Sequence, residues 1–332
     1  MRLIPRRFLF CAHHNDKFPH GDGKGGVSKD VSLGGRNMGS DFGNDDFNLY
    51  HATRDRRSGF PVHPHRALVT FTLVRKGLID HHDSLGNSGR FGNGDAQWMI
   101  AGRGIQHSEI FPLLKKDEDN PMELFQIWLA MPHADFDLEP TYEMLWAEDV
   151  PHVPVVDKAG KEAMVSLVVG SMGEHIAAKP PTSTYASREE ADVAIWTIKL
   201  PTKGTSFEVP PARTGNAVHR VLYAFDGAVK VDGKEYPSGT GITVHADVAV
   251  TVESTDDSGS ELLMMQGKPI EDRLVQRGPF MGKSEQDLMD AFNRYRSTQF
   301  GQTWPWDRED PMLDLDVGRV AMYADGRKVV KE

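Results

Sequence analysis

Gly59-Phe60-Pro61-Val62-His63-Pro64-His65-Arg66 and Gly102-Arg103-Gly104-Ile105-Gln106-His107-Ser108-Glu109 are the two stretches on which the reading of this chain turns. Each carries two potential metal ligands at positions i and i+2. Side chains two apart on a β-strand point to the same face. Two such strands facing into one barrel therefore deliver His63, His65, His107 and Glu109 to one point. A lone His-x-His is commonplace without a metal; paired with His-x-Glu and set between glycine turns, it reads as a ligand set. Three imidazoles and a carboxylate suit Fe, Mn, Co, Ni or Zn, and the absence of thiolates argues against Cu(I) and against a structural zinc site. On a six-coordinate ion, four protein ligands leave two positions for substrate or dioxygen.

Working outward, residues 67–74 (ALVTFTLV) are β-branched and aromatic, as a buried strand requires. Arg75-Lys76-Gly77 predicts a turn and residues 78–81 the return strand. Gly86-Asn87-Ser88-Gly89 and Gly92-Asn93-Gly94-Asp95 are further turns, and residues 97–100 and 124–131 further strands. Short strands between turns at this spacing predict an antiparallel sandwich or barrel. After a proline-containing linker at residues 140–154, a second strand-rich block follows, with Asp232-Gly233 as a hairpin turn. Ser284-Glu285-Gln286-Asp287 fits a helix start, and Leu288, Ala291, Phe292 and Tyr295 supply an apolar stripe. Residues 1–30 read as a loose arm, 31–145 as a first barrel with the metal site, 146–300 as a second barrel without metal, and 301–332 as a tail across the surface.

The bulk properties agree with this division. A chain of 332 residues exceeds one comfortable core. A formal charge of −10 gives no counterion-release gain on a phosphate backbone, which argues against direct nucleic-acid binding. Arg54, Arg56, Arg57 and Arg66 cluster, but Asp55 interrupts them, and a solvated face is expected. A single cysteine, Cys11, excludes intrachain disulfides and suits a reducing compartment. No apolar run reaches the ~20 residues that span a bilayer, and the apolar stretch after Arg6-Arg7 is too short for a secretory signal. A cytoplasmic protein with no membrane partner is expected.

The stretch from Phe60 to Glu109 resembles the pirin family of two-barrel cupins. The matching elements are HPHR (His63 to Arg66), DSLG (Asp83 to Gly86), GDAQWM (Gly94 to Met99) and AGRGIQHSE (Ala101 to Glu109). Likeness continues through Glu123-Leu124-Phe125-Gln126-Ile127-Trp128 and Glu139-Pro140, and returns at Arg277-Gly278-Pro279-Phe280, covering roughly residues 31–300. The resemblance implies an all-β fold of two antiparallel, jelly-roll-like cupin barrels in tandem with a short C-terminal helix. It implies one divalent metal, Fe(II) first with Mn, Ni, Co, Cu or Zn as alternatives, on His63, His65, His107 and Glu109. Members of the family act as quercetinases, opening a flavonol with dioxygen, or as metal-dependent, redox-sensing regulators that bind a transcription factor or an enzyme. On the first reading Glu109 also accepts the substrate proton. Where the family continues HPHR with glycine, an aromatic and glutamate, this chain has Ala67, Leu68 and Val69, which bears on pocket shape rather than on the ligands.

The remaining histidines and aromatics read differently. One of His81 and His82 could face the cavity, but hydrogen-bonded structural roles are favoured. His13, His14 and His20 fall in the arm and are expected to be solvated. Asp95 braces a turn, Arg103 anchors its loop, and Trp98 and Trp128 are core. His219 and His245 lack i+2 partners, so the second barrel is expected to be metal-free.

Overall fold

A computed structural model describes residues 9–52 and 55–332. The first eight residues of the expected arm, and Arg54 of the basic cluster, lie outside the described residues. The described chain forms two compact units, one of residues 9–147 with 272–332 and the other of residues 148–271.

The first unit opens with β1 (Leu9–Phe18), β2 (Ser58–His65), β3 (Leu68–Lys76), β4 (Leu78–Asp83), β5 (Ser88–Gly92), β6 (Ala96–Ile100), β7 (Ile105–Phe111), β8 (Asn120–Ala130) and β9 (Thr141–Leu145). One antiparallel sheet runs β1-β8-β3-β6-β9, and the other contains β2-β7-β4-β5. Their inner faces share one apolar core that includes Val74, Ile79, Phe91, Phe111, Leu124 and Met144. The strand read from ALVTFTLV is buried from Leu68 to Val74, as its β-branched and aromatic residues lead one to expect. Ala67 keeps a left-handed backbone at φ 58° and is fully buried.

The second unit contains β10 (His152–Val156), β11 (Glu162–Val169), β12 (Ser171–Met172), β13 (His175–Ile176), β14 (Ala194–Leu200), β15 (Ser206–Val209), β16 (His219–Asp226), β17 (Val229–Val231), β18 (Lys234–Tyr236), β19 (Thr240–Val244), β20 (Val250–Ser254) and β21 (Ser260–Gly267). Its sheets run β10-β11-β14-β21-β16-β19 and β15-β20-β17-β18. The core between them is apolar, with Val165, Leu167, Trp196, Leu222, Ile242 and Met264 among its members. Asp232 and Gly233 both take positive φ, 44° and 83°, as a two-residue hairpin turn requires. The fold class is thus all-β, two antiparallel barrels in tandem with one α-helix among the described residues, the 14-residue α1 (Glu285–Thr298).

Three expectations about the ends of the chain need correction. Residues 9–18 are no loose arm: β1 pairs along its whole length with β8, from Leu9 opposite Leu129 to Phe18 opposite Asn120. Its inward positions alternate Phe10, Ala12, His14, Asp16 and Phe18, and the polar members hide the two-residue period. The second barrel ends before residue 272, not at 300. β22 (Val275–Arg277), β23 (Phe280–Gly282) and α1 belong to the first unit, where Arg66 forms a bidentate pair with Asp287 at 2.9 and 3.0 Å. The Ser284 hydroxyl caps α1 by accepting from Asp287 N at 3.2 Å. Nor is 301–332 only a surface tail, because β24 (Arg319–Met322) pairs with β5 and carries β25 (Lys328–Lys331) at the sheet edge. The fully buried Arg90 fixes that return. It meets Asp80 at 2.6 and 2.7 Å and donates to the carbonyls of Leu313, Asp314 and Val317. Part of the expected linker, Thr141–Leu145, is β9 of the first unit. No helix among the described residues is long and apolar enough to cross a membrane.

Candidate metal centre

The two opening motifs lie on adjacent strands, β2 and β7, with His63 opposite His107 and His65 opposite Ile105. A bulge between Phe60 and His63 resets the register, since Phe60 pairs with Glu109. Alternation then turns all three imidazoles inward. Donor nitrogens of His63, His65 and His107 lie within 4.8 Å of one another, the only such group of three among the described residues. Glu109 follows on the same face of β7, its Oε2 3.8 Å from His107 Nε2. His65, His107 and Glu109 are buried, while His63 is half-buried and lies on the solvent side of the group.

Hydrogen bonds leave the candidate donor nitrogens free. His63 Nδ1 donates to the Pro61 carbonyl at 2.8 Å, so its Nε2 keeps a lone pair. His107 Nδ1 lies 3.4 Å from His81 Nδ1, and His81 Nε2 lies 3.5 Å from the Asp83 carboxylate. The carboxylate accepts a hydrogen bond from His81 Nε2–H, His81 Nδ1 accepts from His107 Nδ1–H, and His107 Nε2 keeps its lone pair. Both ring nitrogens of His65 and Nε2 of His107 are buried without a hydrogen-bond partner. Buried polar atoms are rarely left so, and two such imidazoles converging with that of His63 fit a cation. Burial pushes His63 down to about 4, with the nearby His51 and His81 adding to the effect, and holds His65 and His107 well below the ordinary histidine value. The rings are therefore neutral, as ligation requires. Burial pushes the Glu109 carboxyl up, against the hydrogen bonds of Gln126.

Part of the wall comes from β8, where Gln126 and Trp128 carried no expectation of a role at the site. Gln126 Nε2 donates to both oxygens of Glu109, at 3.0 and 2.8 Å, and its own oxygen accepts from Trp128 Nε1 at 3.0 Å. Trp128 is thus no plain core residue: its ring meets His65 edge-on at 5.4 Å. A glutamine two residues before a tryptophan in an otherwise apolar strand was the available signal. His81 faces the site and His82 does not; His82 packs against Trp306 at 4.6 Å. His14, far from solvated, donates from Nδ1 to the Tyr50 oxygen at 2.6 Å, and Tyr50 donates to Asp16 at 2.7 Å. Burial holds His14 down to about 4. Tyr50 stacks on Phe60 at 5.4 Å, and Phe60 lies 6.4 Å from His63, so β1 helps build the mouth of the site. His13 is half-buried and lies 3.3 Å from Glu123, and His20 meets Asp30.

The other expectations fall out plainly. Asp95 braces its turn, accepting from Gly92 and Ala147 amides and pairing with Arg319. Arg103 is half-exposed and pairs with Glu139 at 2.7 Å. Gly102 and Gly104 are required: added methyl groups would lie 2.1 Å from the Leu138 oxygen and 2.4 Å from the Phe300 ring. Trp98 is core against Phe71. His219 and His245 are exposed, outside the apolar interior of the second barrel.

Comparison with known proteins gives two family matches: residues 32–129 match Pirin, and residues 200–301 match the Pirin C-terminal cupin domain. A "Putative quercetin 2,3-dioxygenase" of Pseudomonas aeruginosa is 29% identical over 248 residues, covering 74% of this chain and 80% of that protein. Pirin of Homo sapiens is 28% identical over 262 residues, covering 75% and 81%. The crystal structure of quercetin 2,3-dioxygenase from Acinetobacter baumannii matches with a TM-score of 0.63 at 21% identity, over 90% of this chain and 99% of that one, a likeness of fold.

Proposed function

The chain belongs to the pirin family of two-barrel cupins, and from that premise we propose that it is a metal-dependent dioxygenase that opens flavonols with dioxygen and releases carbon monoxide. The observation that carries this reading is the convergence of three neutral imidazoles, two of them with buried nitrogens that lack a partner, beside a carboxylate held by a glutamine. The name of the Pseudomonas relative supports it. His63, His65 and His107 would hold the ion through nitrogen, with Glu109 as an oxygen donor. That mixed set suits iron(II). Cys11, the one thiol, lies on the opposite face of β1 from His14. When bound, such a metal supplies Lewis acidity that lowers the pKa of a flavonol hydroxyl.

The chain's own groups do the rest. Glu109 is placed to take the hydroxyl proton, and its raised proton affinity favours that task. Gln126 keeps the carboxylate in one orientation, and Trp128 in turn fixes Gln126. Phe60 and Trp128 offer flat apolar surfaces at the mouth and at His65, suited to a planar aromatic substrate.

Oxygen uptake and carbon monoxide release with a flavonol, using protein reloaded with each first-row metal in turn, test the proposal. Equimolar consumption and release with at least one metal supports it. No flavonol-dependent uptake with any of them refutes the enzyme reading and leaves a metal-dependent binding protein.

A further inference from the structure

The described chain contains two fully buried arginines of contrasting circumstance, Arg90 and Arg220. Arg90 in the first unit is neutralised by a bidentate carboxylate. Arg220 in the second unit has none. Its Nε and one terminal nitrogen both donate to the Gln266 amide oxygen, at 2.9 and 2.5 Å, and the other terminal nitrogen donates to the Pro210 carbonyl at 2.8 Å. A guanidinium has five N–H donors, so one on each terminal nitrogen remains without a protein acceptor. An arginine does not escape such burial by losing its proton. Burial nonetheless disfavours its charge, and the negative Asp192 nearby opposes this only in part.

Arg220 is not sealed in. It lines a cavity of about 410 Å³ within the second unit. Register places the cavity at one end of the barrel: Gln266 pairs with Arg220 on one side and with Ala194 on the other. Trp196, two residues along β14 on the same face, lines the same cavity, and its buried indole N–H has no acceptor. Val169, Met172, Ile176 and Ala194 supply apolar wall. Four cationic side chains line the cavity against two carboxylates, in a chain whose net charge is −10. Those carboxylates are engaged, Asp192 by the Thr214 amide and hydroxyl at 2.8 Å and Glu189 by Arg213 at 3.7 Å. The cavity thus presents unmet donors, surplus positive charge and an apolar wall.

We propose that the mouth of the second barrel binds a small organic carboxylate with an apolar or aromatic body. The carboxylate sits on the two free N–H groups of Arg220, in the forked geometry that guanidinium favours, and the body lies along the apolar wall. This site is separate from the histidine cluster and holds no metal ligand set.

Calorimetric titration of the full-length, metal-loaded protein tests it, with benzoate as probe and benzamide as its uncharged counterpart. One benzoate should bind per chain, benzamide at least about tenfold more weakly. Binding should persist in His107→Ala, which separates this site from the histidine cluster. It should weaken at least about tenfold in Arg220→Gln. Should that variant fail to fold, Ala212→Trp, at the half-buried cavity rim, should block binding while leaving the barrel core alone. No benzoate binding up to about 10 mM, equal binding of benzamide, loss of binding in His107→Ala, or undiminished binding in both cavity variants overturns the proposal.

Discussion

Both carboxylate oxygens of Glu109 accept from a single nitrogen, Gln126 Nε2, at 3.0 and 2.8 Å. The arrangement fixes the carboxylate plane beside the imidazoles without neutralising its charge. Groups that orient a ligand in this way are typically worth 10- to 100-fold in metal affinity. Gln126→Leu should therefore fold, shown by an unchanged circular dichroism spectrum, yet bind metal about 10- to 100-fold more weakly in competition with a chelator. Unaltered affinity would remove Gln126 from the site.

Glu109 itself separates ligation from proton transfer. Glutamine in its place retains an oxygen donor but is no base. General-base contributions run to about 10²- to 10⁴-fold, so Glu109→Gln, fully reloaded with metal, should bind a flavonol but turn it over at least about a hundredfold more slowly. Near-normal turnover would make Glu109 a plain ligand.

How much of this was legible in the sequence varies with the physics. The His-x-His and His-x-Glu spacings made the convergence of these side chains legible because strand alternation converts spacing directly into facing, and a bulge of one residue left both pairs on the inner face. The buried strand 68–74 was legible because its residues are β-branched, aromatic or aliphatic throughout, the types a buried strand takes. β1 was not, because its inward positions include His14 and Asp16, whose burial is made possible by Tyr50 and Asn48 far along the chain. Gln126 and Trp128 were hidden in an apolar strand, their contacts set by each other and by Glu109 on the other sheet. The return of residues 313–322 to the first unit is held by the buried Arg90, by the Arg319–Asp95 pair and by pairing with β5, none of which a local pattern announces.

That last point is testable. Arg90 joins Asp80 to three carbonyls of the C-terminal segment, and stripping one member of a buried ion pair costs about 3–5 kcal/mol. Arg90→Met should lower the melting temperature markedly and expose residues 313–322 to limited proteolysis before the barrel is cut. A segment equally protected in the variant would show that Arg90 does not hold it.

Glu123 gives a pH dependence of definite sign. Burial alone would raise its carboxyl, but the hydrogen bond from His13 and the charges of Arg75 and Lys76 prevail and bring it down to about 2. A carboxylate depressed on folding adds stability that is present above its unfolded value, near 4.5, and is lost as pH falls toward 2. The contribution is about 1–3 kcal/mol. Between pH 5 and pH 3 the wild type should therefore lose stability more steeply than Glu123→Gln in urea unfolding. Parallel losses would show that the ion cluster contributes nothing to the acid limb.

The central claim is that His63, His65 and His107 form a single metal centre, and metal content by elemental analysis tests it most directly. Reconstituted wild-type protein should hold one equivalent per chain, and His63→Ala and His107→Ala should each lose it while keeping the β-sheet spectrum of the parent. Full occupancy in both variants, or a second equivalent that survives them, would contradict the account.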